Sequence, residues 1–353
     1  MLPIRTLLLG YGLSARAFHV PFLLQNPQYQ LVGLVQPRGD SGREAFPTVP
    51  HFRRPEEALQ ALWPELVIIC SPNALHAPQA RLALEAGAHV VVEKPFALSS
   101  GEAEALIALA EAKQRVISVY HNRRWDADFL TLQQVVREGI LGRPVQLLSR
   151  FDRFRPQIKA GWKEEPAPGS GIFWDLAPHL LDQALLLFGT PQALYAQIRT
   201  ERTAARTPDA FELFLYYPQV QVQLAAGSLV SASWPRFSLL ATKGSYTKGG
   251  MDPQEAALRA GLQPGGAEWG SERPDQWGTL LVDNGASVEE RCYPSLAGDY
   301  GIFYQLLAAA IREGKQHPVP AQEALQVIQL LELAEESDRQ GRRLPIASPA
   351  AGG

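Results

Sequence analysis

Asp175, His179 and Asp182 stand at i, i+4 and i+7 in a stretch that is otherwise apolar: Ile172, Phe173, Leu176, Leu180, Leu181, Ala184 and Leu185. On a helix that spacing brings the three polar residues to one face. Polar groups kept on a mostly buried helix must be satisfied or functional. Histidine is the natural proton carrier near neutral pH, so Asp175 and His179 make a candidate acid–base pair. Two other uses of the same residues stand beside this one. Asp175 can cap the helix with His179 as a core histidine, or the pair can ligate zinc or iron. The metal use is disfavoured because no third His or Cys stands at a recognisable spacing, and no metal is expected.

A second chemical group is Glu93-Lys94-Pro95, which follows the apolar run His89–Val92. In a parallel sheet, ligands gather outside the carboxyl ends of the strands. Topology therefore places Lys94 at such a site, and Pro95 restricts the backbone beside it. The plain alternative is a surface lysine in a loop. Tyr120–Asp128 follows the next strand at the same edge. It offers Asn122 and Arg123 as substrate donors, or equally as interdomain salt-bridge structure.

The third group is Gly10-Tyr11-Gly12-Leu13-Ser14-Ala15, a G-x-G-x-x-A turn between a strand and a helix. The first glycine permits the tight turn, and the second lets backbone N–H groups approach a pyrophosphate at a helix N-terminus. Such a pattern alone is weak, but its place at the head of a βαβ unit strengthens it. The end of the second strand reads Gln36-Pro37-Arg38, with no Asp or Glu to hold a ribose hydroxyl pair. Arg38 can meet a 2′-phosphate, or it can be a solvated loop residue; the sequence leans towards NADP without excluding NAD. Hydride transfer needs a positioned nicotinamide, a cation or donor near the substrate oxygen, and a group to move the hydroxyl proton. Lys94 and His179 come from different predicted domains, so the active site is expected in the cleft between them.

These groups must be positioned by regular elements. Strands are expected over Ile4–Leu9, Leu31–Val35, Leu66–Cys70, His89–Val92 and Val116–Val119. Helices are expected over Phe18–Gln25, Pro55–Leu62, Ala77–Ala86 with Gly87 as its cap, and Gly101–Lys113. Short apolar strands alternating with helices imply a doubly wound parallel sheet. After Asn122 the rhythm changes. Helices are expected over Phe129–Glu138 and Ile172–Phe188. Strands follow over Ala193–Arg199, Ala210–Tyr217, Val220–Ala226, Val230–Ser233 and Phe237–Ala241. Several of these alternate polar and apolar residues, as in an antiparallel sheet with one buried face. Lys248–Gly278 reads as a long loop or lobe, and helices Tyr300–Glu313 and Ala321–Gln340 close the chain. The expected fold class is α/β plus α+β. Residues 1–122 form the dinucleotide domain, 123–345 the substrate and oligomerisation domain, and 346–353 a flexible tail.

Composition narrows the alternatives. At 353 residues the chain is too long for one ordinary core. With 46% hydrophobic and 20% charged residues it matches soluble globular proteins. A net charge of −3 gives no footprint of nucleic-acid binding. Two cysteines, Cys70 and Cys292, exclude a disulfide scaffold and a Cys-rich zinc site. No apolar run reaches the roughly 20 residues of a membrane helix. The short apolar N-terminus lacks the form of a secretion signal, and a cytoplasmic location is expected.

Taken in order, these motifs, with Ser71-Pro72-Asn73 and His76 and with His121-Asn122-Arg123-Arg124-Trp125-Asp126, resemble the glucose-fructose oxidoreductase / inositol dehydrogenase / rhizopine catabolism family, written Gfo/Idh/MocA. The resemblance spans nearly the whole chain. Phe18-His19, the run Gly244–Glu255 and the run Gly298–Tyr304 are similar to the branch that contains NADP-dependent scyllo-inositol dehydrogenases.

The resemblance implies a Rossmann domain followed by an open-faced, mainly antiparallel sheet domain, assembled as a homodimer or homotetramer through that face. It implies a catalytic set of Lys94, Asp175 and His179. His179 would accept the hydroxyl proton, Lys94 would polarise the substrate oxygen, and Asp175 would hold a hydroxyl. Substrate contacts would come from these three with Asn122 and Arg123. NADP or NAD would be held by Gly10, Gly12, Leu13, Ser14, Ala15, Gln36, Arg38, Ser71, Pro72, Asn73, His76, Glu93 and Lys94. The implied activity is NAD(P)-dependent hydride transfer at a sugar or polyol hydroxyl or carbonyl, inositol-like in kind. Two rivals remain: a reductase of another small carbonyl or imine on the same scaffold, and a non-catalytic dinucleotide-binding regulator. Two departures from the family pattern stand out. Ala177 takes a position often held by glycine, and Gln36-Pro37-Arg38 replaces the Ser-Ser-Arg common in NADP relatives. Arg153, Trp162 and Tyr300 are further loop side chains that can set the substrate.

Overall fold

The computed structural model describes residues 2–158, 161 and 164–346. Trp162 and the tail 347–353 lie outside the described residues. By contacts the chain divides into two compact units. One comprises Met1–Asn122, Gln254–Trp269 and Asp299–Ile328; the other comprises Arg123–Pro253, Gly270–Gly298 and Gln329–Gly353.

The first unit is built on six parallel strands: β1 (Ile4–Leu9), β2 (Tyr29–Val35), β3 (His51–Phe52), β4 (Leu66–Ile69), β5 (His89–Val92) and β6 (Ile117–Val119). Their spatial order is β3-β2-β1-β4-β5-β6. The reversal beside β1 is the switch point of a doubly wound sheet. All four residues of β4 are buried, which explains an apolar run without alternation: both faces of the strand are covered. The intervening helices are α1 (Val20–Gln25), α2 (Ser41–Ala45), α3 (Pro55–Leu62), α4 (His76–Glu85) and α5 (Ser100–Ala112). Helical structure already begins at Leu13, and Ala15–His19 form a π-helical turn ahead of α1.

By contacts, two stretches within the expected second domain 123–345, Gln254–Trp269 and Asp299–Ile328, group with the first unit. The second of these stretches brings aromatic side chains into the core of the first unit. On α9 (Gly301–Glu313), Tyr304 stacks on Phe22 at 6.0 Å between ring centroids and meets Tyr29 edge-on at 5.6 Å. Phe303 meets Tyr120 at 4.8 Å. Such aromatic contacts bury large areas, and nothing in the local pattern of Gly298–Tyr304 announces their partners.

The second unit carries a nine-stranded sheet. Its strands are β7 (Pro144–Arg150), β8 (Ala193–Arg199), β9 (Ala210–Tyr216), β10 (Gln221–Gly227), β11 (Phe237–Ala241), β12 (Gly244–Lys248), β13 (Gly278–Asp283), β14 (Val288–Tyr293) and β15 (Leu344–Pro345). The order is β14-β13-β12-β11-β7-β10-β9-β8-β15, and all neighbours are antiparallel except β7 with β10. Its helices are α6 (Ala127–Glu138) and α7 (Gly171–Phe188); α8 (Pro253–Arg259) falls, apart from Pro253, in the first unit, and α10 (Ala321–Gln340) passes from the first unit to the second after Ile328. α7 packs on β9 and β10. Alternate side chains of β9, including Phe214, point the other way, and Phe214 stacks on Tyr195 of β8 at 6.2 Å.

Several local expectations change. Val230–Ser233 is not a strand; Leu229 forms only an isolated bridge to Phe154. Ser231–Ser233 are exposed and run into Pro235, which has no N–H to continue a ladder. The central strand β7 was not anticipated, nor was the β13–β14 hairpin. Lys248–Gly278 contains α8 rather than irregular chain throughout. No helix among the described residues is long and apolar enough to cross a membrane.

Candidate active site

In the first unit the site is assembled at the carboxyl ends of β1, β2, β4 and β5. After β1, Gly10 takes φ +93°, and a Cβ there would sit 2.8 Å from the Cys70 carbonyl oxygen. The turn therefore requires glycine on both counts. At Gly12 a Cβ would meet nothing within 4 Å, so the backbone there faces open space. The first helical N–H groups, from Leu13 onward, have no intrahelical acceptor. Open access combined with a helix N-terminus fits the pyrophosphate of a dinucleotide.

Ser14, in the first turn of that helix, donates its hydroxyl to Glu93 Oε1. The same oxygen lies 3.0 Å from His19 Nε2, and Glu93 Oε2 accepts the backbone N–H of Lys94 at 3.1 Å. His19 is fully buried, and its Nδ1 lies 2.6 Å from the Tyr304 hydroxyl. Burial alone would raise the Glu93 pKa. The His19 hydrogen bond and charge, the Ser14 hydroxyl and the Lys94 charge outweigh it and hold the pKa at about 2. Glu93 is thus a fixed anion that ties the nucleotide loop to the backbone of Lys94.

His76 packs behind two loops. It is buried, with Nδ1 2.7 Å from the Pro95 carbonyl and Nε2 2.9 Å from the Ser71 carbonyl. Burial lowers its pKa, and a neutral imidazole carries one N–H for these two acceptors. The ring joins the loops after β4 and β5 from behind. Ser71 donates to Gln79 at 2.8 Å, Pro72 is exposed and Asn73 half-buried. Lys94 is half-buried, and the Lys94–Pro95 peptide is cis.

At the end of β2 the Gln36 amide is engaged locally. Its Oε1 accepts from Gly42 N at 2.9 Å, and its Nε2 donates to Ser41 Oγ at 3.1 Å. Arg38 is exposed.

In the second unit α7 carries the other candidates. His179 is 5% exposed, Asp175 is half-buried, and Asp182 is buried. The i, i+7 member has a structural partner, since Arg124 grips Asp182 through two bonds of 2.5 and 2.9 Å. The cap of α7 is Ser170 rather than Asp175. His179 meets Phe151 edge-on at 6.5 Å. Two guanidinium groups lie over Phe151, Arg236 at 3.8 Å and Arg123 at 5.0 Å. Arg236 also donates to Ser149 Oγ at 2.5 Å and to Gln183 Oε1 at 2.7 Å. Burial pulls its pKa down to about 10 despite Asp128 and Asp126 nearby, so it stays cationic at neutral pH. Gln183 also donates to the Arg123 carbonyl at 3.0 Å. This bracing of the helix one turn beyond His179 was invisible in sequence, because Phe151, Gln183 and Arg236 are far apart along the chain.

Arg123 also pairs with Asp126 at 3.2 Å, and Asn122 is buried. Of the further loop side chains, Arg153 is half-buried. Tyr300, at the start of α9, is fully buried with Phe18 and Phe22 about it. No group of three or more His, Cys, Asp or Glu among the described residues is arranged to hold a metal ion.

Residues 4–121 match the oxidoreductase-family model of a NAD-binding Rossmann fold. Residues 133–346 match that of the same family's C-terminal alpha/beta domain. The chain is 40% identical over 344 residues to YdgJ, an uncharacterized oxidoreductase of Escherichia coli (strain K12), covering 98% of this chain and 99% of that one. It is 38% identical over 339 residues to the scyllo-inositol 2-dehydrogenase (NADP(+)) IolW of Bacillus subtilis (strain 168), covering 96% and 95%. The solved structure of the oxidoreductase YvaA from Bacillus subtilis superposes with a TM-score of 0.95 at 37% identity over 98% of this chain and 99% of that one. A nucleotide loop on a six-stranded parallel sheet, a second unit on a nine-stranded mixed sheet and these matches together make the chain a member of the Gfo/Idh/MocA family of NAD(P)-binding oxidoreductases.

Proposed function

We propose that the protein transfers hydride between a nicotinamide, preferably that of NADP, and a hydroxyl or carbonyl carbon of an inositol-like polyol or sugar. Lys94, Asp175 and His179 carry the chemistry. The observation that carries this reading is the tie from Ser14 through Glu93 to the backbone N–H of Lys94, which anchors the lysine's main chain to the nucleotide loop. The likeness to a scyllo-inositol 2-dehydrogenase over nearly the whole chain supports the substrate class.

The bound nicotinamide supplies the hydride acceptor or donor. His179 takes the hydroxyl proton in oxidation and returns it in reduction. Lys94 stabilises negative charge on the substrate oxygen as it develops. Asp175, one helical turn before His179, holds a neighbouring hydroxyl and orients the pair; Asn122 and Arg123 supply further substrate donors. A panel of inositols and sugars with NAD and NADP, followed at the absorbance of the reduced nicotinamide, tests the reading. Turnover of a polyol is the expected result. Cofactor binding without turnover on any member would sink it in favour of a regulator.

The NADP preference rests on Arg38, exposed at the end of β2 with no carboxylate at Gln36 or Pro37. Arg38→Ala is expected to weaken NADP roughly tenfold or more, because a hydrogen bond to a charged group contributes about 1.5–3 kcal/mol, and to leave NAD little changed. Equal losses in titrations of both cofactors would remove Arg38 as the selector. The outward face of the nine-stranded sheet, with Tyr195, Phe214, Leu240 and Leu281, is the proposed surface of a homodimer or homotetramer. Light scattering at micromolar concentration should give a multiple of the 38.8 kDa chain mass; a monomer mass overturns the assembly.

A further inference from the structure

At the carboxyl end of β2 the chain turns through Gln36, Pro37, Arg38, Gly39 and Asp40 before α2 begins. Arg53, directly after β3, reaches back into that turn. Its Nη1 donates to the carbonyls of Gln36 at 2.9 Å and Gly39 at 2.5 Å, and its Nη2 pairs with the Asp40 carboxylate at 2.7 Å. Gln36 closes the turn from the other side through Gly42 and Ser41. Gly39 takes φ +72°, so the backbone reverses there in a conformation that favours glycine. Gln36, Gly39, Asp40 and Arg53 line one small cavity together with Arg43 and His51.

The charges in this turn are unequal in their engagement. Asp40 is the one carboxylate between Gln36 and Asp40. A carboxylate in this region of a Rossmann fold hydrogen-bonds a ribose 2′-hydroxyl, and it repels a 2′-phosphate. Here the Arg53 guanidinium neutralises it and holds it. Arg53 and Asp40 are 49% and 54% exposed, so their pair contributes little to the stability of the fold. Its consequence is local: the guanidinium fork organises three acceptors of one turn. Arg38, at the tip of that turn, is engaged by no described residue and keeps its donors available.

We propose that Arg53 is a positioning residue that sets cofactor specificity: it cancels Asp40 and fixes the turn that presents Arg38 to the 2′-phosphate of NADP. The proposal rests on the NADP preference proposed above and adds the residue that makes it possible in a turn that also contains an aspartate.

Calorimetric titration with 2′,5′-ADP and 5′-AMP tests it without needing the substrate. The quantity read is the ratio of the two affinities in the parent, Arg53→Ala, Arg53→Lys, and Arg53→Ala combined with Asp40→Asn. Arg53→Ala should lower the preference for 2′,5′-ADP by about tenfold or more, chiefly by weakening that ligand. Adding Asp40→Asn should restore most of the loss, an outcome that a merely structural role for Arg53 does not produce. Arg53→Lys should fall between, since an ammonium offsets charge but cannot span three acceptors. A ratio in Arg53→Ala within about twofold of the parent, an equal loss for both ligands, or no recovery with Asp40→Asn overturns the proposal. A parent without preference for 2′,5′-ADP would sink the NADP reading. The shift caused by Arg53→Ala and its reversal are measured from whatever ratio the parent shows.

Discussion

Replacing His179 by asparagine should slow hydride transfer by roughly 10²–10⁴-fold, the usual contribution of a positioned general acid–base group. Asparagine is close to histidine in size and can hydrogen-bond, but it does not carry the proton. The nucleotide loop belongs to the first unit and His179 to the second, so cofactor affinity should stay near that of the parent. His179 is buried and edge-on to Phe151, so a purely structural histidine is the rival explanation. That rival expects a lower melting temperature with little change in the transfer rate. Stopped-flow measurement beside a thermal melt separates the two, and a near-parent transfer rate removes His179 from the mechanism.

Lys94→Met should cost a similar factor, on the order of 10²–10³, because it deletes a charge placed to stabilise a developing alkoxide. The change also leaves Glu93 without one of the charges that hold its pKa at about 2. The His19 and Ser14 bonds remain, so Glu93 should stay ionised at neutral pH and the loop should keep its place. Stability is therefore expected to change little while turnover falls. If the protein were a dinucleotide-binding regulator, the parent would show no turnover and neither substitution would have a kinetic effect. Parent-like rates in Lys94→Met would show that the lysine is a loop residue.

The sequence alone determined the elements whose physics is local. Pro55–Leu62, His89–Val92, Ala193–Arg199, Phe237–Ala241 and Ala321–Gln340 were read to the residue, because periodicity, proline at a first helical turn and short apolar runs act within a few positions. Gly10 and Gly12 declared the nucleotide turn for the same reason, since the backbone conformation and close approach they allow are properties of single residues. The parallel sheet followed from the strand–helix rhythm.

The tertiary structure decided whatever depends on partners distant in the chain. β7 is recognisable mainly by its pairing with β10 on one side and β11 on the other. α9 joins the first unit because Phe303 and Tyr304 fit aromatic side chains nearly 200 or more residues earlier. The hydrogen-bond partners of buried polar side chains were decided in the same way. His76 lies between two carbonyls, and Asp182 is held by Arg124. Arg53 became visible only where β3 lays it against the turn after β2. A hydrogen bond or ring contact is fixed by distance in space, and residue type limits what a side chain can donate or accept without choosing which of many distant groups will meet it.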